Sequence, residues 1–262
     1  MKSIIKDLFW KLVTFFSREG DAASILMYHS VGNNGAFFTV RQESFETQLE
    51  YLRTHHFNVV TLSSLLEKIQ QGQSLAHTVA ITFDDGYKDN YEVAFPLLKK
   101  YQMPATIFLT AGFVGGSMKL KDGTVLPMLA QQEIQEMVES GFIECMPHTM
   151  NHVRYVGDNL EVFMREVRES RQTVESLTGK AAPIFAYPAG KYDLTLVESI
   201  KQEGFKGAVT VEEGLVHARA DIFMLKRNAV DSSTTFSQFR GKVSRAIDWY
   251  VTCKNLFSYA EK

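Results

Sequence analysis

Short apolar segments alternate with amphipathic segments along most of the chain from residue 24 onwards. Seven apolar segments have the length and composition of buried β-strands, and most of the intervening segments place apolar residues at helical spacing. The predicted strands cover residues 24–29, 58–62, 79–83, 105–109, 142–146, 183–187 and 207–211. The predicted helices cover residues 45–53, 63–71, 91–101, 131–140, 160–178, 194–203 and 236–257.

This alternation of strands and helices predicts an α/β fold with a parallel sheet and outer helices. Seven similar units without a dinucleotide-type glycine turn favour a barrel over an open sheet. In such barrels the chemistry lies at the carboxyl ends of the strands. No linker or repeat divides residues 21–262, so we expect them to form one domain.

Residues 1–20 form a separate predicted element, an amphipathic helix. Lys6, Asp7 and Lys11 interrupt its apolar positions, so we predict no cleavable signal peptide. Residues 1–18 could make peripheral contact with a membrane, or the helix could pack on the domain or on a second subunit. The pattern leaves these alternatives open.

The amino-acid composition and net charge indicate which kinds of binding partner to expect. The chain is 45% hydrophobic and 22% charged, with a formal charge of −2, which is typical of an ordinary globular protein. A nucleic-acid partner is not expected, because such domains are usually clearly basic. Two cysteines leave the redox compartment undecided, and the oligomeric state is open.

Two adjacent carboxylates, Asp84 and Asp85, follow the apolar strand that ends at Phe83, and Gly86 follows them. A helix N-cap would account for one aspartate but not for both. Burying two neighbouring charges costs about several kcal/mol, so each aspartate is expected to have either a compensating partner or a functional role.

The segment PHTMNH places His148 and His152 four residues apart, directly after another predicted strand. On a helical turn both imidazoles would project from one face and could bind one metal ion. Two histidines and one carboxylate are a common ligand set for a catalytic metal. One aspartate would then be a ligand, and the other would remain for proton transfer. Zinc is the first expectation, while cobalt, nickel, manganese and iron also suit these donors.

The order of TFDDG and HTMNH resembles the polysaccharide deacetylases, the NodB-homology domain of carbohydrate esterase family 4, over residues 25–230. The resemblance implies a distorted (β/α)7 barrel and removal of N-acetyl groups from N-acetylhexosamine units of a poly- or oligosaccharide or a lipid-linked sugar. It also implies that Asp84 is the general base and that Asp85, His148 and His152 bind the metal.

The third motif of that family departs from its usual form, because AYPAG stands where R-P-P-Y-G is usual. The resemblance implies that the backbone N–H of Ala189 stabilises the oxyanion. We expect Tyr187 and Pro188 of this motif, together with Tyr87, to contact the sugar.

The fifth motif also departs, because Leu225-Lys226-Arg227 lacks the usual histidine. The permuted poly-N-acetylglucosamine deacetylases, which this chain resembles, supply that histidine near the N-terminus, where ILMYHSVG contains His29. The resemblance implies that His29 is the general acid and that Arg227 replaces the lost arginine beside Asp84.

Two other functions fit the same residues. The metal site could serve an O-deacetylase or another amidase, or the altered motifs could mark a catalytically silent carbohydrate-binding scaffold. The resemblance implies a location in the bacterial cell envelope or at the periphery of the inner membrane.

Overall fold

The structure is a computed structural model that describes Trp10, residues 20–157 and residues 159–260. Apart from Trp10 and Gly20, the amphipathic helix predicted over residues 1–20 lies outside the described residues. Its membrane contact and the expected cell-envelope location therefore stay predictions. In the described ranges, no helix is both long enough and apolar enough to span a bilayer.

All seven predicted strands are confirmed, with bounds shifted by at most a few residues. Short additional strands, which the apolar pattern is too brief to predict, lie in the loops. The strands are β1 Ala22–Tyr28, β2 Ser30–Val31, β3 Thr39–Val40, β4 Asn58–Val60, β5 Thr78–Asp85, β6 Ala105–Leu109, β7 Ser117–Lys119, β8 Val125–Pro127, β9 Ile143–Pro147, β10 Ile184–Ala186, β11 Gly207–Val209, β12 Val216–His217 and β13 Asn228–Ala229.

Helices connect most of these strands, as predicted. A π-helical turn at Asn90–Ala94 leads into the third of them. The α-helices with described bounds are α1 Gln42–Thr54, α2 Leu62–Gln70, α3 Phe95–Tyr101, α4 Gln131–Glu139, α5 Leu160–Thr178, α6 Leu194–Gln202, α7 Phe236–Lys242 and α8 Ala246–Ala260.

The centre of the fold is a parallel sheet in the order β1, β5, β6, β9. Every residue of β5 is buried. A strand covered on both faces needs apolar residues at consecutive positions, which explains why its sequence does not alternate. Strand β4 pairs with the beginning of β5 and β6 pairs with its end, so one long strand supports two neighbours.

Strands β10 and β11 and the segment that follows them continue this arrangement around a barrel, whereas the pairs β2–β3 and β7–β8 form separate two-stranded sheets. Strands β10 and β11 are parallel, and Val209 of β11 bridges to Leu225. A few residues further on, Asn228 and Ala229 pair with β1. The segment 225–229 therefore joins β11 to β1, while β9 and β10 contact each other without a described ladder. The result is the expected α/β barrel with incomplete pairing at one seam.

The long helix α5 shows how the sequence selects the outer layer. Its buried residues Phe163, Val167, Ser170 and Val174 recur at intervals of three or four, so they form one face. Phe163 and Val167 pack in an apolar cluster with side chains of β10, β11 and α6. The larger apolar cluster lies between the central sheet and the preceding helices.

The single helix predicted over residues 236–257 is wrong, because the chain breaks between α7 and α8. The Ser244 hydroxyl donates to the carbonyl of Gly241 and accepts from the N–H of Ala246, so it closes one helix and begins the next. Gly241 lies against Trp10, and a Cβ atom there would be 2.1 Å from Trp10 Cε3. The Trp10 ring thus occupies the space that another residue at position 241 would fill.

We expect Gly241→Ala to displace Trp10 and to lower the free energy of unfolding. Overpacking costs about 1–3 kcal/mol, which exceeds the gain of about 1 kcal/mol from replacing a helical glycine by alanine. Denaturant unfolding and a red-shifted tryptophan emission, both measured in a Trp249→Phe background, test this. Ser237→Ala in the same helix is the control. Unchanged emission and unchanged stability in Gly241→Ala would contradict the contact.

Candidate active site

Asp84 and Asp85 stand where β5 leaves the sheet, paired with Phe108 and Leu109 of β6. Neighbouring strand residues normally point to opposite faces, but Asp85 has a φ of 72°, which breaks the alternation. Gly86 has a φ of 84°, and a Cβ atom there would lie 2.7 Å from Leu109 Cδ2. Both carboxylates are buried and line one cavity of about 570 Å³.

His148 and His152 approach Asp85 from the segment that follows β9. Their Nε2 atoms lie 3.9 and 3.6 Å from Asp85 Oδ1. One ligand atom from each of the three residues lies within 4.8 Å of the others. The helical turn expected here is wrong, because Thr149 and His152 have φ values of 64° and 53°. Two left-handed residues, rather than a helix, bring the imidazoles together.

The second nitrogen of His148 fixes its tautomer. Nδ1 lies 2.9 Å from the carbonyl oxygen of Ala186, and a carbonyl can only accept, so Nδ1 carries the proton. Nε2 is then a free lone-pair donor that faces Asp85. Burial lowers the pKa of His148 to about 4, so the ring is neutral at physiological pH. Two imidazoles and a carboxylate are a donor set that fits a divalent transition-metal ion.

The turn that carries both histidines is held by Glu166 of α5. Its carboxylate accepts hydrogen bonds from the backbone N–H groups of Met150 and Asn151, at 3.1 and 3.0 Å, and from the Asn151 side chain at 2.9 Å. This support was not predictable from the sequence, because a glutamate in an amphipathic helix resembles any surface residue. Glu166 therefore connects the outer helical layer to the metal ligands.

Arg227 lies against Asp84, the position expected of it. Its guanidinium donates to both oxygens of Asp84, at 2.6 and 2.8 Å, and Nε donates to the carbonyl of Thr210 at 2.8 Å. Arg227 is fully buried and lies over the ring of Phe108. Burial alone would raise the pKa of Asp84, but the charge and hydrogen bonds of Arg227, together with the nearby imidazoles of His148 and His29, outweigh burial and hold that pKa well below its ordinary value. Asp84 is therefore ionised and fixed in orientation.

His29 follows β1 and lines the same cavity, half-buried, with its ring 5.4 Å from that of Phe38. Its backbone carbonyl accepts a hydrogen bond of 2.9 Å from the side chain of Asn90. Asn90 begins the π-helical turn after β5, a feature that is frequent at functional sites. The segment that follows the two aspartates thus also holds the backbone of His29.

Asp89 completes this support. Its carboxylate accepts hydrogen bonds from the Ser30 hydroxyl, the Val31 N–H and the Asn34 side chain. Burial raises the pKa of Asp89 to about 6, although these hydrogen bonds oppose the shift. Asp89 and Asn90 were missed in the sequence because their partners lie about 60 positions away. The only available signal was the run of polar residues after Gly86.

Within the segment AYPAG, Ala189 faces the cavity, whereas Tyr187 and Pro188 are buried in the core. Ala189 lines the cavity with a φ of 53°. Tyr187 is fully buried, donates its hydroxyl to the carbonyl of Phe223 at 3.2 Å and stacks on Tyr192. Pro188 is also buried, and neither residue is among those that line the cavity. Their side chains therefore do not occupy the positions that the predicted sugar contacts require.

Tyr87 does line the cavity, although it is almost fully buried. Its ring stacks on Phe38, with centroids 5.3 Å apart, and its hydroxyl donates to Met118 Sδ at 3.4 Å. Burial, followed by the charge of Asp85, raises the pKa of the Tyr87 hydroxyl, which is therefore protonated. Tyr87 forms part of the cavity wall beside Asp85.

Comparison with known proteins adds independent information. The profile of the family described as "Polysaccharide deacetylase" matches residues 71–208, just over half of the chain. YxkH of Bacillus subtilis (strain 168), named as a candidate polysaccharide deacetylase, is 29% identical over 216 residues, which are 82% of this chain and 74% of YxkH.

Two further relatives narrow the comparison. The poly-beta-1,6-N-acetyl-D-glucosamine N-deacetylase of Staphylococcus epidermidis is 26% identical over 203 residues, which are 74% of this chain and 69% of that enzyme. The structure of IcaB from Ammonifex degensii superimposes with a TM-score of 0.76 and 25% identity, covering 86% of this chain and 98% of IcaB.

We expect the purified protein to bind one divalent ion through Asp85, His148 and His152. Loss of an outer-shell partner alone weakens metal binding about 10–100-fold, so His148→Ala and His152→Ala should each weaken it by at least that much. Calorimetry with zinc and the visible spectrum of the cobalt form measure this. His217→Ala, which removes an exposed imidazole bonded to Asp248, is the control. Equal affinity in the His148 and control variants would exclude this site.

Asp89 should make stability fall as pH rises from about 4 to 6. Its pKa in the folded state, about 6, exceeds the ordinary 3.8, so the folded chain holds more protons than the unfolded chain in this range. The shift corresponds to about 2–3 kcal/mol. Unfolding free energies at several pH values should show this fall in the wild type but not in Asp89→Asn.

The matched control is Asp21→Asn. Hydrogen bonds, first that from the Leu75 N–H, lower the pKa of Asp21, so its contribution should have the opposite sign and be lost as pH falls. Identical pH profiles for the wild type and Asp89→Asn would contradict the prediction for Asp89.

Proposed function

Because the chain belongs to the polysaccharide deacetylase family, we propose that it is a metal-dependent hydrolase that removes N-acetyl groups from N-acetylhexosamine units of a poly- or oligosaccharide. The observation that carries the proposal is the pairing of two functions in one cavity. The set Asp85, His148 and His152 can hold an ion, and the ionised Asp84 beside it is held by Arg227. A binding module has no need for both.

The nature of the substrate is supported by the staphylococcal relative, whose name specifies N-deacetylation of an N-acetylglucosamine polymer. Zinc is the proposed ion, because two histidines and one carboxylate with open positions are a common catalytic zinc set. A bound ion would supply Lewis acidity, which polarises a carbonyl and makes water more acidic.

The residues of the chain have distinct proposed roles. Asp84 takes a proton from the attacking water, and Arg227 fixes its orientation. His29, which follows the neighbouring parallel strand β1, protonates the departing amine. The backbone N–H of Ala189, which lines the cavity, faces the acetamide oxygen.

We expect the zinc-loaded protein to release acetate and free amine from N-acetylglucosamine pentasaccharide. Removal of a general acid or base costs about 10²–10⁴ in rate, so Asp84→Asn and His29→Ala should each lose kcat by that factor while retaining zinc. Acetate, free amine and bound zinc are measured together. Asp21→Asn and His217→Ala, whose side chains lie outside the cavity, are the controls.

Each alternative has its own result. Full activity of zinc-loaded Asp84→Asn would remove Asp84 from the chemistry. Acetate release from O-acetylated sugars, without free amine from the pentasaccharide, would identify an esterase. Saccharide binding by the zinc-loaded protein without any acetate release would identify a silent scaffold.

A further inference from the structure

Three cationic side chains line the candidate active-site cavity around its mouth. Lys119 and Lys121 come from the β7–β8 hairpin, and Arg154 follows the metal-site histidines. All three are exposed. Within residues 20–157 and 159–260, none of them forms an ion pair with a carboxylate. They are therefore available to a ligand. We refer to Lys119, Lys121 and Arg154 as the cationic rim.

The acidic residues of the same cavity are already engaged. Asp84 is paired with Arg227, and Asp85 belongs to the metal set. Asp122 accepts a hydrogen bond of 2.9 Å from the N–H of Thr124, which lowers its pKa and holds its carboxylate in the hairpin turn. A bound divalent ion would add further positive charge. Asp122 stays ionised beside the rim, so one free carboxylate faces three cations and the rim keeps a net positive charge.

The two lysines are presented by an anchored hairpin. Strands β7 and β8 pair, and the ladder is extended by bonds from Met128 N–H to Gly116 O and from Gly115 N–H to Leu129 O. Leu126 and Met128 pack with Ala36, Phe38 and Tyr87, and Met118 packs against that cluster. The backbone that carries the lysines is therefore fixed over the cavity, while their ammonium groups remain in water.

Phe37 supplies an apolar surface in the same cavity. Its side chain is 77% exposed, and it lines the cavity beside Phe38. Its backbone is fixed, because its carbonyl accepts hydrogen bonds from the N–H and hydroxyl of Ser232 at 3.2 and 2.7 Å. An exposed aromatic ring held in this way can stack on the apolar face of a pyranose. The cavity therefore combines an apolar platform with cations.

We propose that the substrate is an N-acetylated saccharide that carries an oxyanion, a carboxylate or a phosphate, which binds the cationic rim while the acetamido group lies at Asp84. This proposal rests on the proposed function and specifies its substrate. A neutral homopolymer of N-acetylglucosamine offers these cations no partner. Each deacetylation moreover creates an ammonium group, which the rim repels. An anionic neighbour offsets that repulsion and keeps the chain bound.

The test compares acetate release from three saccharides by the zinc-loaded full chain. Hyaluronan tetrasaccharide supplies carboxylates, N-acetylglucosamine 1-phosphate supplies a phosphate, and chitotetraose is neutral. At low salt we expect kcat/KM for an anionic saccharide to exceed that for chitotetraose about tenfold, the combined effect of three exposed ion pairs. The preference should shrink as salt rises from 20 to about 200 mM, because the Debye length falls to below about 10 Å.

The combined variant Lys119→Gln/Lys121→Gln/Arg154→Gln should lose this preference through KM. Lys99→Gln/Lys100→Gln/Arg53→Gln, which removes three cations outside the cavity, should keep it. The anionic saccharide that shows the preference identifies the oxyanion as carboxylate or phosphate. Equal kcat/KM for all three saccharides, or a preference that survives in the rim variant, would overturn the inference and leave the proposed deacetylase function standing.

Binding separates the inference from the proposed function if no saccharide releases acetate. Calorimetric binding of hyaluronan tetrasaccharide that disappears in the rim variant would support the anionic subsite and reject deacetylation. Absence of binding to both anionic saccharides would reject the subsite itself.

Discussion

The buried ion pair between Arg227 and Asp84 is the interaction on which both the barrel and the site depend. Asp84 is the penultimate residue of β5, the strand that supports β1, β4 and β6, whereas Arg227 lies in the segment that joins β11 to β1. Two buried charges are tolerated only when each is well paired, and breaking such a pair costs about 3–5 kcal/mol. Here the hydrogen bonds of the guanidinium to Asp84, Thr210 and Thr82 supply that pairing. The proposed base, Asp84, is therefore also a structural residue. It is ionised because the segment that joins β11 to β1 brings Arg227 against it.

His148 makes a second connection of the same kind. Strands β9 and β10 have no described ladder between them, and the bond from His148 Nδ1 to the carbonyl of Ala186 spans that seam. The bond that joins the strands also fixes the tautomer that leaves Nε2 free for a metal. The unpaired seam thus gives a side chain access to a backbone carbonyl that a complete ladder would have occupied. The missing ladder between β9 and β10 thus leaves the Ala186 carbonyl free to fix the His148 tautomer that metal binding requires.

Much of this arrangement was predictable because it depends on local pattern. Strands buried on both faces have continuous apolar sequences and are therefore easy to predict. Polar residues at the carboxyl ends of parallel strands lie at the same mouth of the barrel. This rule predicted the positions of Asp84, Asp85, His148 and His29. What the sequence could not provide are contacts between distant positions. Glu166 reaches the histidine turn from a helix, Asn90 reaches the carbonyl of His29, and Trp10 fills the space at Gly241. Tyr187 was misplaced for the same reason, since its partner Phe223 lies 36 positions away.

Backbone conformation explains why residue spacing alone was a poor guide to the shape of the site. Asp85, Thr149, His152 and Ala189 all have positive φ values without being glycine. Such conformations are disfavoured and persist where the surroundings over-determine them. At this cavity the surroundings are strand pairing on one side and the hydrogen bonds of Glu166 on the other. Three of these residues, Asp85, His152 and Ala189, line one cavity in conformations that an isolated peptide would not keep. The geometry of the site is thus a property of the whole barrel, imposed on short motifs that supply only its chemistry.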